Sequence, residues 1–314
     1  MQKVEQVASQ AKQAAKGATE HVETQVSVRR EALFDMSERV ALVTGGGSGI
    51  GLMIARTLAV NGAKVYITGR TAEKLDTVVE TFGKDVLGKL IPVTCDISKK
   101  ESIAELYGHI AEREQCLCIL VNNAGISTGR LPMDGEHSAE DMKQRLFTTE
   151  ESNFESWMDD YRTNTGAVYF TTTAFLPLLQ RSTERFKGWS GTVINIASIS
   201  GQVKTAQKHF SYNTAKAATI HLSRMLAAEI AAAGLKIRVN SVSPGLFPSE
   251  MTAGGESGKD QRSELPTERG QKFPAGRPGK DEDMASAVLF CAANQYLNGQ
   301  DITVDGGATL SMGR

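Results

Sequence analysis

Tyr212 and Lys216 lie four residues apart in a stretch, Tyr212 to Ala228, whose composition predicts a helix, so their side chains share one face. A phenol titrates near about 10 and exchanges protons poorly at neutral pH. An ammonium beside it is expected to stabilise the phenolate, lower that value and make the pair a general acid or base. The same spacing also fits the surface of an ordinary amphipathic helix, but here it follows a strand-like run ending at Ser198, where a hydroxyl can face a ligand crevice. A second constellation, Thr44, Gly45, Gly46, Gly47, Ser48, Gly49, Ile50 and Gly51, precedes a helical run from Leu52 to Val60. Glycines let backbone N–H groups approach a phosphate closely, and a helix N-terminus adds a favourable dipole. The string matches neither GxGxxG nor a P-loop, which needs Gly-Lys-Ser/Thr; it reads TGxxxGxG.

Other chemistry is thinly supplied. Cys95, Cys116, Cys118 and Cys291 are too scattered for a disulfide framework and form no CxxC pair, which predicts free thiols in a reducing, cytoplasmic setting. The histidines His21, His109, His137, His209 and His221 show no metal-ligand spacing, so no metal site is expected. With 35 basic and 36 acidic residues the net charge is -1, which gives no summed attraction for nucleic acid or an anionic membrane. No window approaches the roughly 18 uninterrupted apolar residues of a membrane span. A small molecule is the expected partner.

The elements that must position these residues follow from hydrophobic patterning. Val40–Thr44, Lys64–Thr68, Leu90–Cys95, Cys118–Asn122, Thr192–Ala197, Lys236–Val242 and Gln300–Val304 read as strands alternating with helices. Several are apolar nearly throughout, as strands covered on both faces must be. The expectation is an α/β fold: a Rossmann-type, doubly wound, parallel seven-stranded sheet in one domain over residues 38–314. Residues 1–37 read as an alanine-rich helical extension, with Val4, Ala8, Ala11, Ala15, Ala18 and Val22 on one stripe; Glu5, Glu20 and Glu23 argue against a transit peptide. Residues 127–156 are longer and more charged than loop priors allow, and residues 246–280 concentrate glycine and proline, which suggests a flap; both are expected at the substrate end.

Four motifs in this order, Thr44 to Gly51, Asn122-Asn123-Ala124-Gly125, Tyr212 with Lys216, and Pro244-Gly245, resemble the short-chain dehydrogenase/reductase family in its simple single-domain form over about residues 38 to 310. The resemblance implies an oxidoreductase carrying a nicotinamide dinucleotide across the C-terminal strand ends, where fold rules also place ligands. It implies cofactor contacts from Gly45, Ser48, Gly49, Ile50, Gly51, Asp96, Asn123, Tyr212, Lys216, the backbone of Phe247, and Ser249, which stands where the family usually has threonine. Asp96 reads equally well as a helix cap. The second strand ends Ile67-Thr68-Gly69-Arg70: the position where NAD-binding members need a carboxylate is Gly69, and Arg70, with Ser48 and Thr71, suits a 2′-phosphate, so NADP(H) is the expected cofactor.

By the same resemblance Ser198 holds the reacting carbonyl, with Ser200 as a rival, Tyr212 donates the proton, Lys216 binds the ribose, and Asn164 holds a water leading to Lys216. The implied activity is NADPH-dependent reduction of a ketone. The segment from Pro244 to Thr252 resembles 3-oxoacyl-thioester reductases of the rhamnolipid type, while polyketide and sugar reductases share much of it. Alcohol oxidation and a non-catalytic NADP(H)-sensing module are the alternatives, although a sensor need not keep both Tyr212 and Lys216. Family members commonly form homodimers or homotetramers through two long helices.

Overall fold

A computed structural model describes residues 28–312 apart from 132, 134 and 136. The chain falls into two units, residues 1–35 and 36–314. The expected helical extension lies mostly outside the described residues; of the first unit, one helical turn, Arg30–Leu33, is described. The second unit is the α/β domain.

Its seven strands are β1 (Val40–Thr44), β2 (Lys64–Gly69), β3 (Lys89–Thr94), β4 (Ile119–Asn122), β5 (Thr192–Ile196), β6 (Arg238–Pro244) and β7 (Asp301–Val304). Every neighbouring pair is parallel, in the order β3-β2-β1-β4-β5-β6-β7. All seven expected strands are present, with boundaries displaced by a residue or two. Pro92 sits within β3, which pairs only with β2 and so needs no second ladder.

The covering helices are α1 (Gly49–Val60), α2 (Ala72–Phe82), α3 (Lys100–Ala111), α4 (Phe154–Tyr161), α5 (Ala167–Arg185), α6 (Phe210–Ala232) and α7 (Asp281–Ala293). Strand periodicity sends successive side chains to opposite faces. Ala41 and Val43 of β1 therefore join Ile54, Leu58, Leu75, Val78, Met284 and Val288 in one core. Val40 and Leu42 join Leu106, Ile110, Phe175, Leu178, Leu226 and Ile230 in the other. This two-sided burial is why the strands read as continuous apolar runs. No helix among the described residues is long and apolar enough to cross a membrane.

Strand order reverses between β1 and β4, the switch point where a crevice opens beyond the strands' C-terminal ends. Asn122 and Asn195 stitch this region: the Asn122 amide donates to Asn195 Oδ1 at 2.8 Å and to Thr172, and the Asn195 amide donates to Ser223. Residues 127–156 are not a plain loop. They contain a short helix, Ala139–Lys143, which runs on as a π-helical turn, Gln144–Thr148. Within 246–280 there are only a helical turn, Glu250–Ala253, and a 3₁₀ turn, Thr267–Gly270.

Candidate active site

The glycine string forms the first wall of the crevice. Gly45 takes φ +66°, open to glycine at little cost, and a Cβ there would stand 2.9 Å from the Asn123 amide nitrogen. At Gly51 a Cβ would lie 2.0 Å from the Gly45 carbonyl oxygen. The loop is thus packed tight from behind, while in front the first-turn N–H groups of α1 have no partner within the helix and Ser48 makes no side-chain cap. That is an anion cradle by geometry. Asn123 is the tie that shapes it: its amide donates to the carbonyls of Thr44 and Gly45 at 2.9 and 3.1 Å.

These residues line one cleft of about 360 Å³, ligand-sized, with Gly45, Ser48, Gly49, Ile50 and Gly51 at one end and Tyr212 and Lys216 at the other. A hollow of about 470 Å³ at the opposite end of the sheet, between Arg39, Lys64 and Lys89, holds none of the motif residues. Arg70, at the end of β2, is exposed on the cleft wall beside Thr71 and Lys74. The side chains of Ser48, Arg70 and Thr71 make no hydrogen bond or ion pair among the described residues, whereas Lys74 is paired with Glu250 at 2.7 Å. Asp96 also lines the cleft. It does not cap a helix: its carboxylate accepts from the backbone and hydroxyl of Ser98, and α3 begins only at Lys100. Burial opposes the charge on Asp96, but the Ser98 hydrogen bonds hold its carboxyl below the ordinary range.

At the far end Lys216 is buried, 4% exposed, and its Nζ donates to the Ile196 carbonyl at 2.8 Å. It lies 5.7 Å from the centre of the half-buried Tyr212 ring. The expected lowering of the Tyr212 pKa is not found. Burial pushes it up to about 12, against a hydrogen bond with Ser198 that favours the phenolate, and the charge of Asp160 adds to the rise. The Lys216 ammonium is committed to the Ile196 backbone carbonyl, and burial of the phenol prevails. Lys216 itself is pushed down to about 8 by burial, with Asp160 acting in the opposite direction.

Ser198 is buried just off the cleft wall that Ile196 and Ala197 line, and its hydroxyl accepts from Ser200 N at 3.1 Å; the Ser200 hydroxyl instead donates to Gln207. Ser198, not Ser200, is the serine that bears on the Tyr212 phenol, where it favours the phenolate. Asn164 does not line the cleft. It is buried in a π-helical turn, Arg162–Gly166, that joins α4 to α5; its amide donates to the carbonyls of Ile126 and Asp160 and its oxygen accepts from Ile126 N. The π turn explains how an asparagine is accommodated there: the widened turn gives its side chain backbone partners. Phe247 is also off the wall, with its ring buried against Gly279. Ser249 lines the cleft, but its hydroxyl caps the turn Glu250–Ala253 by accepting from Thr252 N. Sequence reasoning missed Asp160, since an aspartate beside Asp159 in a polar helix gives no sign of being fully buried. Among the described residues no group of His, Cys, Asp or Glu is arranged to hold a metal ion.

The family model for short chain dehydrogenase matches residues 39–260. The chain belongs to the short-chain dehydrogenase/reductase family. It is an oxidoreductase of that family. Short-chain dehydrogenase/reductase PhomF' of Diaporthe leptostromiformis is 37% identical over 280 residues, covering 88% of this chain and 92% of the relative. The rhamnolipids biosynthesis 3-oxoacyl-[acyl-carrier-protein] reductase of Pseudomonas aeruginosa is 34% identical, covering 88% and 98%. Among solved structures, the Pseudomonas aeruginosa RhlG/NADP active-site complex superposes with a TM-score of 0.69 at 31% identity, covering 88% of this chain and 98% of that one.

Proposed function

We propose that this short-chain dehydrogenase/reductase is an NADPH-dependent reductase of ketones on acyl or polyketide-like substrates, with Tyr212 as general acid. The observation that carries the reading is the pair Tyr212 and Lys216 at one end of a cleft whose other end is a cation-and-hydroxyl cradle, with Ser198 bearing on the phenol from just off the wall. The residues present fit NADP(H). The tight glycine loop leaves room for a pyrophosphate on the first turn of α1, and the uncommitted Ser48, Arg70 and Thr71 side chains suit a 2′-phosphate. Bound NADPH supplies the hydride.

The chain's own residues do the rest. Ser198 and Tyr212 orient the substrate oxygen, and their hydroxyls stabilise the charge that develops on it. Tyr212 enters protonated, since its pKa of about 12 leaves the phenol intact at neutral pH, and its proton passes to that oxygen. Lys216 would hold the cofactor ribose beside Tyr212, and Asn164 fixes the backbone of Ile126, which lines the same cleft. The relative from Pseudomonas aeruginosa is by name a 3-oxoacyl-[acyl-carrier-protein] reductase, which supports an acyl substrate. A homodimer or homotetramer in the cytoplasm belongs to the same reading, and light scattering checks the assembly.

The test is a panel of ketoesters, quinones and 3-oxoacyl thioesters, followed by loss of NADPH fluorescence with wild type and Tyr212→Phe. Wild type is expected to turn over at least one carbonyl, and the variant to lose about 10²- to 10⁴-fold, the usual worth of a positioned acid. Turnover of none, with NADPH still bound, would favour a sensing module.

A further inference from the structure

Asp160 is a carboxylate with no exposed surface, on α4 beside the catalytic cluster. Burying a charge is costly unless it is hydrogen-bonded or balanced by an opposite charge. One oxygen accepts from Thr128 N at 3.0 Å and the other from the Ser211 hydroxyl, immediately before Tyr212 on α6. Its own carbonyl accepts from the Asn164 amide at 2.9 Å. Asn164 in turn leads to Lys216, because a Cβ at Gly125 would lie 2.6 Å from Asn164 Oδ1 and 3.4 Å from Lys216 Nζ. Two hydrogen bonds satisfy the carboxylate's geometry but do not cancel its charge, and no ion pair to Asp160 is present among the described residues.

The charged and titratable groups facing it are Tyr212 and Lys216 on α6, and His209 just before that helix. His209 pairs with Ser127 at 3.0 Å and feels Arg130 from the loop after β4. On its own helix, neighbouring Asp159 is turned outward to Arg162. Lys216 is therefore the buried cation with which Asp160 shares the site.

We propose that Asp160 is a positioning residue that acts as the buried counter-charge of the Tyr212–Lys216 pair, keeping the lysine cationic and the phenol protonated for reduction. The inference rests on the acid role proposed for Tyr212. Asp160 raises the proton affinity of both groups, opposing burial at Lys216 and adding to it at Tyr212. It also clamps the segment after Gly125 to the first turn of α6, so charge and alignment come from one side chain.

Asp160→Asn separates the two effects. The amide has nearly the same shape and can bond both Thr128 N and Ser211, but it carries no charge. The readout is ultraviolet difference titration of tyrosinate in the protein alone, with Tyr212→Phe as the blank that isolates Tyr212. The Tyr212 midpoint is expected to fall by a measurable fraction of a pH unit in Asp160→Asn. The alkaline loss of ketone reduction should move down by the same amount. Ser211→Ala, which keeps the charge, should leave the midpoint in place. If the amide is not tolerated, Asp160→Ser repeats the titration in the same site.

A Tyr212 midpoint unchanged in the uncharged variant, or an equal fall in Ser211→Ala, overturns the proposal. Undiminished turnover by Tyr212→Phe would instead overturn the acid role, and the titration would still report whether Asp160 governs the phenol.

Discussion

Replacing Arg70 by alanine removes a guanidinium that lines the cleft and makes no side-chain hydrogen bond or ion pair among the described residues, so little native structure is lost with it. Two unit charges 4 Å apart attract by about 4 kcal/mol at an effective dielectric near 20. Arg70 is exposed, and physiological salt screens over roughly 8 Å, which leaves about 1.5–3 kcal/mol for a hydrogen bond between charged groups. Binding of NADPH should weaken by about 10- to 100-fold, at 1.4 kcal/mol per decade. NADH has no 2′-phosphate, and its affinity should change by less than about threefold. Asp96 and Glu250 line the same cleft, so the loss leaves the phosphate facing two carboxylates with fewer cations between them. Fluorescence titration of both nucleotides against wild type and Arg70→Ala measures the difference, which should shrink as salt is added. Equal weakening of both nucleotides, or of neither, would refute the assignment of Arg70 to the 2′-phosphate.

Gly51→Ala places a methyl 2.0 Å from the Gly45 carbonyl oxygen and 2.5 Å from the Asn123 amide, so the loop must move. A cost of about 1–3 kcal/mol, a melting temperature lower by several degrees and loss of NADPH binding are expected together; a variant that melts and binds like wild type would contradict the packing. Lys216→Met should leave the buried Ile196 carbonyl unpaired and cut turnover. It should also remove a pH dependence of stability. Lys216 is pushed down by burial from 10.5 to about 8, so between these values the unfolded chain holds a proton that the folded chain has released. Wild-type stability relative to Lys216→Met should therefore rise with pH above about 8, by up to roughly 3 kcal/mol. Tyr212, held at about 12, works in the opposite sense above its ordinary 10, which makes pH 8 to 10 the window for urea unfolding. A stability difference flat across that window would show that the folded chain does not suppress the lysine charge.

Local patterning decided the architecture of this protein before any contact was known. A strand buried on both faces must be apolar throughout, so Val40–Thr44 and Thr192–Ile196 announce a doubly covered parallel sheet, and the glycines from Gly45 to Gly51 announce a backbone packed too closely for side chains. Tyr212 and Lys216 were readable for the same reason, since helical periodicity alone puts them on one face. Tertiary packing decided everything that depends on what stands opposite a side chain. Ser198 and Ser200 differ by two positions and by nothing in their chemistry, yet the Ser200 hydroxyl is taken by Gln207 while Ser198 bears on the phenol. Ser249 has the hydroxyl that the motif asks for, but Thr252 turns it into a helix cap. The proton affinity of Tyr212 moved against the expected direction because burial, with the charge of Asp160 adding to it, outweighs the influence of Ser198, while the Lys216 ammonium is spent on Ile196. Burial, charge distance and hydrogen-bond competition are relations between residues far apart in the chain, and a sequence carries them only through the fold that brings those residues together.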